Sequence, residues 1–234
     1  MEQFLQNKLQ NSQDAFQKWK KIPFEERQKY FTQLSEILNN RKQEFATIIT
    51  QEMSKPISQS VSEIEKCAAL CDYYAVAENI LKTEQVETEF QISEIHHEPL
   101  GVILGVMPWN FPFWQAIRFA VPTILAGNVI VLKHASICEK SGETMQEIFE
   151  KAGFPKGIFT FLKVSHTEVE EMIAHPIIRG VSLTGSEAAG RKIAETAGKN
   201  LKKCVLELGG SDAFIVCEDA DVSKAAKEGA QVRL

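Results

Sequence analysis

Apolar residues along the first third of the chain recur at three- and four-residue steps. Phe16, Trp19 and Ile22 are followed by Tyr30, Phe31, Leu34, Ile37 and Leu38. Ile57, Val61, Ile64, Ala68 and Cys71 carry the same spacing onward. A 3.6-residue period predicts helices from residue 1 to about 82, with Pro56 in a first helical turn. The rhythm then changes to alternation. Val86, Thr88, Phe90, Ile92 and Glu94 fall on one face of an extended chain, which predicts an amphipathic strand ended by Pro99.

From residue 100 short, nearly continuous apolar runs take over: GVILGVM, NVIVLKH, IFTFLKV, RGVSLTG and KCVLELGG. Helix-like segments such as SICEKSGETMQEIFEKAG and SEAAGRKIAETAGKN separate them. Apolar strands alternating with helices describe a parallel sheet covered on both faces. The fold class expected is therefore α/β, a doubly wound Rossmann-like sheet with the N-terminal helices packed on it. Ligands of such sheets gather at the carboxyl ends of the strands.

Composition narrows the function classes. With 44% hydrophobic and 24% charged residues the chain has enough apolar surface for a real core. A net charge of −5 supplies no basic field for nucleic acid or an anionic membrane. The polar N-terminus lacks the apolar stretch of a signal peptide. Three prolines and two glycines break the longest apolar run, PLGVILGVMPWNFPFWQAI, which argues against a transmembrane helix. The five cysteines are odd in number and form no CxxC pair, so they read as reduced thiols of a cytoplasmic protein. No residue pattern calls for a metal.

Candidate chemistry sits at the strand ends. Glu207 lies among Val205, Leu206 and Leu208 in what reads as a buried strand, where an unpaired carboxylate costs several kcal/mol. Asn110, between two prolines, offers an uncharged donor suited to a developing oxyanion, or is simply a turn residue. Lys133 ends the second strand and can hold ribose or phosphate, or be a solvated lysine. Gly185 and Ser186, with Gly190 further on, turn from strand to helix and offer N–H groups to a pyrophosphate. No GxGxxG is present.

The four motifs PWNFP, LKHA, TGSxxxG and LELGGSD, in this order, resemble the NAD(P)-dependent aldehyde dehydrogenase superfamily over essentially the whole chain. GNVIVLKHAS and KKCVLELGGSDAFIV look like its succinate-semialdehyde branch. The resemblance implies that Asn110 binds an oxyanion and that Glu207 is a general base. Lys133 would contact the ribose, and the turn of Gly185, Ser186 and Gly190 the pyrophosphate. Pro108, Trp109, His134, Ser136, Leu208 and Gly209 complete the implied contacts to NAD or NADP. NAD-selective relatives often carry a glutamate where this chain has Ser136, so NADP is expected to bind at least as well as NAD. If residues 112 to 125 form a helix, Arg118 points toward the reacting carbon and can hold a distal carboxylate bidentately. The same arginine resembles the carboxylate-binding residue of the succinate-semialdehyde branch; the plainer reading is an arginine snorkelling to solvent.

The resemblance divides the chain into N-terminal helices (1–84), an oligomerisation hairpin arm (85–98) and the cofactor domain (99–234), and implies a homo-oligomer acting on a small aldehyde. One feature departs from the family. Its nucleophilic cysteine follows a Gly-Gln pair some tens of residues beyond ELGG, and the sequence ends at Leu234 without that motif. Cys204 and Cys217 read as buried strand residues, Cys67 and Cys71 as helix packing. The expectation is an N-terminal half that does not oxidise aldehydes alone. Two other readings use the same residues: an inactive dinucleotide-binding module, and a regulatory half-protein that pairs with a full-length homologue.

Overall fold

The computed structural model describes residues 1–79 and 81–233. Four helices come first: α1 (Gln3–Trp19), α2 (Phe24–Asn40), α3 (Lys42–Met53) and α4 (Ile57–Val76). The helical spacing was expected to reach residue 82, but α4 ends at Val76; Ile80, within that expectation, lies outside the described residues. Pro56 precedes the first turn of α4 as its cap.

Two short strands follow, β1 (Glu84–Gln85) and β2 (Glu94–Ile95), paired antiparallel. They correct the single amphipathic strand expected over residues 86–94. Val86, Phe90 and Ile92 are exposed, so among the described residues the alternation has no surface to bury against.

The remainder alternates: β3 (Val102–Met107), α5 (Pro112–Leu125), β4 (Val129–His134), α6 (Glu139–Lys151), β5 (Phe159–Phe161), α7 (His166–Ala174), β6 (Ile178–Thr184), α8 (Glu187–Lys199), β7 (Lys203–Glu207) and α9 (Val222–Arg233). The strands form one parallel sheet in the order β5-β4-β3-β6-β7. The order reverses between β3 and β6, where a doubly wound sheet opens its ligand crevice. β4 is buried at every position, because α5 and α6 cover one face and α1 packs against it as well. One contiguous core runs from Leu34 and Ile64 in the N-terminal helices through Val121 in α5 to Val131 in β4.

The N-terminal helices also hold both ends of α5. At its C-terminus the Trp19 indole donates to the Ile124 carbonyl (2.8 Å) and Arg27 Nε to the Leu125 carbonyl (2.8 Å). These bonds satisfy acceptors that a helix end leaves open. At its N-terminus the Glu63 carboxylate of α4 accepts from the Phe113 and Trp114 amides.

β7 behaves differently from β3 and β4. It is an edge strand with Cys204 and Leu206 half-buried toward α8, while Lys203, Val205 and Glu207 are exposed on the other side.

Candidate functional site

The parallel register aligns the strand ends that the motifs occupy. Met107 pairs with His134, Val106 with Leu183 and Thr184 with Glu207. The segment Pro108–Asn110, Lys133 with His134, the turn Gly185–Ser186, and Glu207 with Leu208 therefore leave the sheet along one edge. The separate motifs become neighbours because each terminates a strand of the same sheet.

Lys133 is 7% exposed and makes no salt bridge among the described residues. Burial lowers its pKa, with Glu139 opposing that effect. It is not the solvated lysine of the plainer reading. His134 is fully committed to the backbone: Nε2–H donates to the Pro112 carbonyl (2.9 Å), and Nδ1 accepts from the Ala135 amide (2.9 Å). Burial pushes its pKa down to about 4, against the Pro112 bond that favours the charged ring. Its ring ties β4 to the start of α5, and both of its nitrogens are occupied by the backbone. Ser136 is exposed in a 3-10 turn and caps neither that turn nor α6, so it does not have the capping role that would have been its plainer reading.

The strand-to-helix turn also differs from expectation in one atom. Gly185 N–H donates to the Glu207 carbonyl (3.0 Å), so it is not free for a phosphate. Ser186 caps α8, its hydroxyl accepting from Ala189 N–H and its carbonyl from Gly190 N–H. The Glu187 and Ala188 amides, which open the helix, remain for an anion. Gly190 is buried against Leu208: a Cβ there would lie 2.6 Å from Leu208 Cδ2. Its small size lets the chain after β7 close over α8. Gly209 has open space around its Cα.

Glu207 is the main correction. Its side chain is 58% exposed, not buried, because β7 is an edge strand whose face away from α8 carries no helix among the described residues. A cleft of about 480 Å³ occupies that bare face, between α5 and strands β3, β6 and β7. Gln115, Arg118, Phe119, Thr184, Val205 and Glu207 line it. Arg118 sits in the middle of α5, as the helix 112–125 predicted, and its Nη2 lies 3.6 Å from Glu207 Oε2. Both groups are partly exposed, so the pair contributes little stability and is available for exchange with a ligand carboxylate. Asn110 is exposed beyond the end of β3, and its carboxamide has no hydrogen bond among the described residues.

A dinucleotide phosphate fits the donors at the sheet edge: an unpaired, desolvated ammonium and two open amides of a helix N-terminus. Burial raises the pKa of Cys67, Cys71 and Cys204, and that of Cys138 to about 12. Cys204 is half-buried and Cys217 exposed, so neither is the fully buried residue expected.

Two residues at this edge escaped the sequence reading. Lys55 and Glu63 lie behind Asn110; Glu63 could be noticed as a charge on the apolar face of α4, whereas Lys55, in the bend before it, gave no signal.

Comparison with known proteins adds the identity of the fold. The aldehyde dehydrogenase family model matches residues 3–233. The chain is 46% identical, over 97% of its length, to a probable succinate-semialdehyde dehydrogenase [NADP(+)] of Synechocystis sp., of which it covers 50%. It is 43% identical to the succinate semialdehyde dehydrogenase [NAD(P)+] Sad of Escherichia coli, covering 95% of itself and 48% of that protein. The crystal structure of succinic semialdehyde dehydrogenase from Streptococcus pyogenes with NADP+ superposes with a TM-score of 0.93 at 41% identity, over 97% of this chain and 50% of that one. The chain thus spans about half the length of the curated relatives it matches. A parallel sheet with its motifs on one edge, and a match over nearly every residue, lead to one conclusion: the chain belongs to the aldehyde dehydrogenase family.

Proposed function

We propose that these residues serve an NADP-accepting aldehyde dehydrogenase whose substrate is a short semialdehyde acid, succinate semialdehyde, oxidised to succinate. The observation that carries the substrate class is Arg118, a guanidinium inside the cleft and 3.6 Å from Glu207. A substrate carboxylate can replace that loose partner and gain a bidentate pair, which leaves Glu207 free to act as base. The names of the relatives support the same class.

Each residue then has a task. Asn110, with an uncommitted carboxamide, donates to the oxygen that becomes negative when the carbonyl is attacked. Glu207 takes a proton from the water that releases the acid. Lys133 and the first amides of α8 hold the phosphates and ribose of the nucleotide. When bound, the nicotinamide accepts the hydride. The attacking thiolate has to come from residues outside these 234, since none of the five cysteines is both exposed and at the site. By itself the chain binds the nucleotide without turnover.

The test is a substrate comparison in the catalytically competent protein. Arg118→Ala should lower kcat/KM for succinate semialdehyde by on the order of a hundredfold, mostly through KM, and leave small neutral aldehydes nearly unaffected. Equal losses for charged and neutral aldehydes would mean that Arg118 supports the fold and does not read the substrate.

A further inference from the structure

The segment that carries Asn110 is gripped from behind by a buried ion pair. Lys55 lies in the bend between α3 and α4, and Glu63 faces it from α4; their side chains are 6% and 0% exposed. Lys55 Nζ donates to Glu63 Oε2 at 2.7 Å. The other carboxylate oxygen, Oε1, accepts from the Phe113 amide (2.9 Å) and the Trp114 amide (3.0 Å). These are orphan donors of the first turn of α5, whose own cap residue, Phe111, has no side-chain bond to give. A carboxylate there also opposes the positive end of the helix dipole. Lys55 reaches further, donating to the Asn110 carbonyl (3.3 Å) while its ammonium stands 3.5 Å above the Phe111 ring.

A buried ion pair is a weak source of net stability, because desolvation nearly cancels the Coulomb attraction. What this pair supplies is direction. The pair bonds the Asn110 carbonyl on one side of Pro112 and the Phe113 and Trp114 amides on the other, while His134 holds the Pro112 carbonyl and the Gln115 amide the Phe111 carbonyl.

We infer that Lys55 and Glu63 are positioning residues that aim the Asn110 carboxamide at the reacting carbonyl. The inference rests on the oxyanion role proposed above for Asn110. A donor must stand within a few tenths of an ångström of the oxyanion, so releasing the segment costs rate without costing nucleotide affinity. Neither residue lines the cleft that holds Arg118 and Glu207.

Two measurements test this. The first is amide hydrogen exchange on the full chain. Glu63→Ala should speed exchange at Phe113 and Trp114 by more than about tenfold, with the α1 amides unchanged. Glu63→Gln keeps an oxygen for both amides and should change them by less than about threefold. The second is kinetics in the catalytically competent protein. Lys55→Met should lower kcat for the semialdehyde by roughly ten- to hundredfold, less than losing an oxyanion donor outright, with KM for NADP within about twofold. Unchanged exchange in Glu63→Ala, or an intact kcat in Lys55→Met, would overturn the positioning role. A wild-type protein that fails to oxidise the semialdehyde would instead refute the assigned reaction, and the exchange data would still judge the clamp.

Discussion

Single residues at this site are legible in sequence to the extent that their task is local. Asn110, Lys133, Ser186 and Glu207 could be singled out because each lies at or just beyond the end of a strand in a recognisable string. The role of His134 was not legible, because whether its ring faces a ligand or the backbone depends on α5, more than twenty residues away in the fold's wiring. Its burial has a pH consequence. The folded ring stays neutral down to about pH 4, whereas the unfolded ring takes a proton near 6.5. The unfolded state therefore binds more protons between those values, and stability is complete above pH 6.5 and falls toward pH 4. The loss is on the order of 3 kcal/mol at its fullest. Urea denaturation at pH 7 and pH 5 checks it: His134→Gln should be less stable than wild type at pH 7 but show a flatter decline with acid. Parallel declines would mean that other groups govern the acid limb.

At the scale of elements, the strands of the sheet followed directly from apolar runs, and α5, α6 and α8 from the segments between them. α7 was overlooked although its signature is plain: Ser165 and Glu168 form a capping box. The exposure of β7 was misread for a deeper reason. An apolar run says that a strand can be buried, and only the tertiary arrangement says whether a helix covers each face. How closely α5 approaches β3 is set by a missing side chain. A Cβ on Gly105 would lie 2.5 Å from Phe119 Cε1. Gly105→Ala should therefore cost about 1–3 kcal/mol by overpacking, with the ring of Phe119 pushed into the cleft. Gly198, in α8, has nothing within 4 Å of such an atom. Gly198→Ala should stabilise by up to about 1 kcal/mol through helix propensity. Chemical denaturation of the pair measures both signs, and a stabilising Gly105→Ala would show that the α5–β3 contact yields easily.

For the whole molecule, the alternation of strand and helix was enough to anticipate a doubly wound sheet, since right-handed crossovers leave few topologies. Nothing local revealed that one face of β6 and β7 would stand bare, or that the N-terminal helices would grip α5 at both ends. Ligand binding is felt by the molecule as a unit. NADP bound to the folded state alone should raise its unfolding free energy by about 2.7 kcal/mol at a hundredfold excess over Kd. A thermal-shift titration with NADP and NAD reads this directly. On the reading that Ser136 faces the 2′-phosphate, Ser136→Glu should remove most of the NADP effect and spare that of NAD. A chain that NAD stabilises far more than NADP, with no change in Ser136→Glu, would overturn the assigned nucleotide preference.

The exposure of Trp109 has a spectroscopic consequence. Of the three tryptophans, Trp19 is buried and Trp114 half-buried against α4, whereas Trp109 is 55% exposed and adjoins Asn110. Its emission should lie to the red of the other two and, on the reading that the nicotinamide binds beside Asn110, should be the most strongly quenched of the three by bound dihydronicotinamide. With Trp109→Phe as the blank, the native indole becomes an optical gauge of occupancy at the carboxyl edge of the sheet, read without any added label.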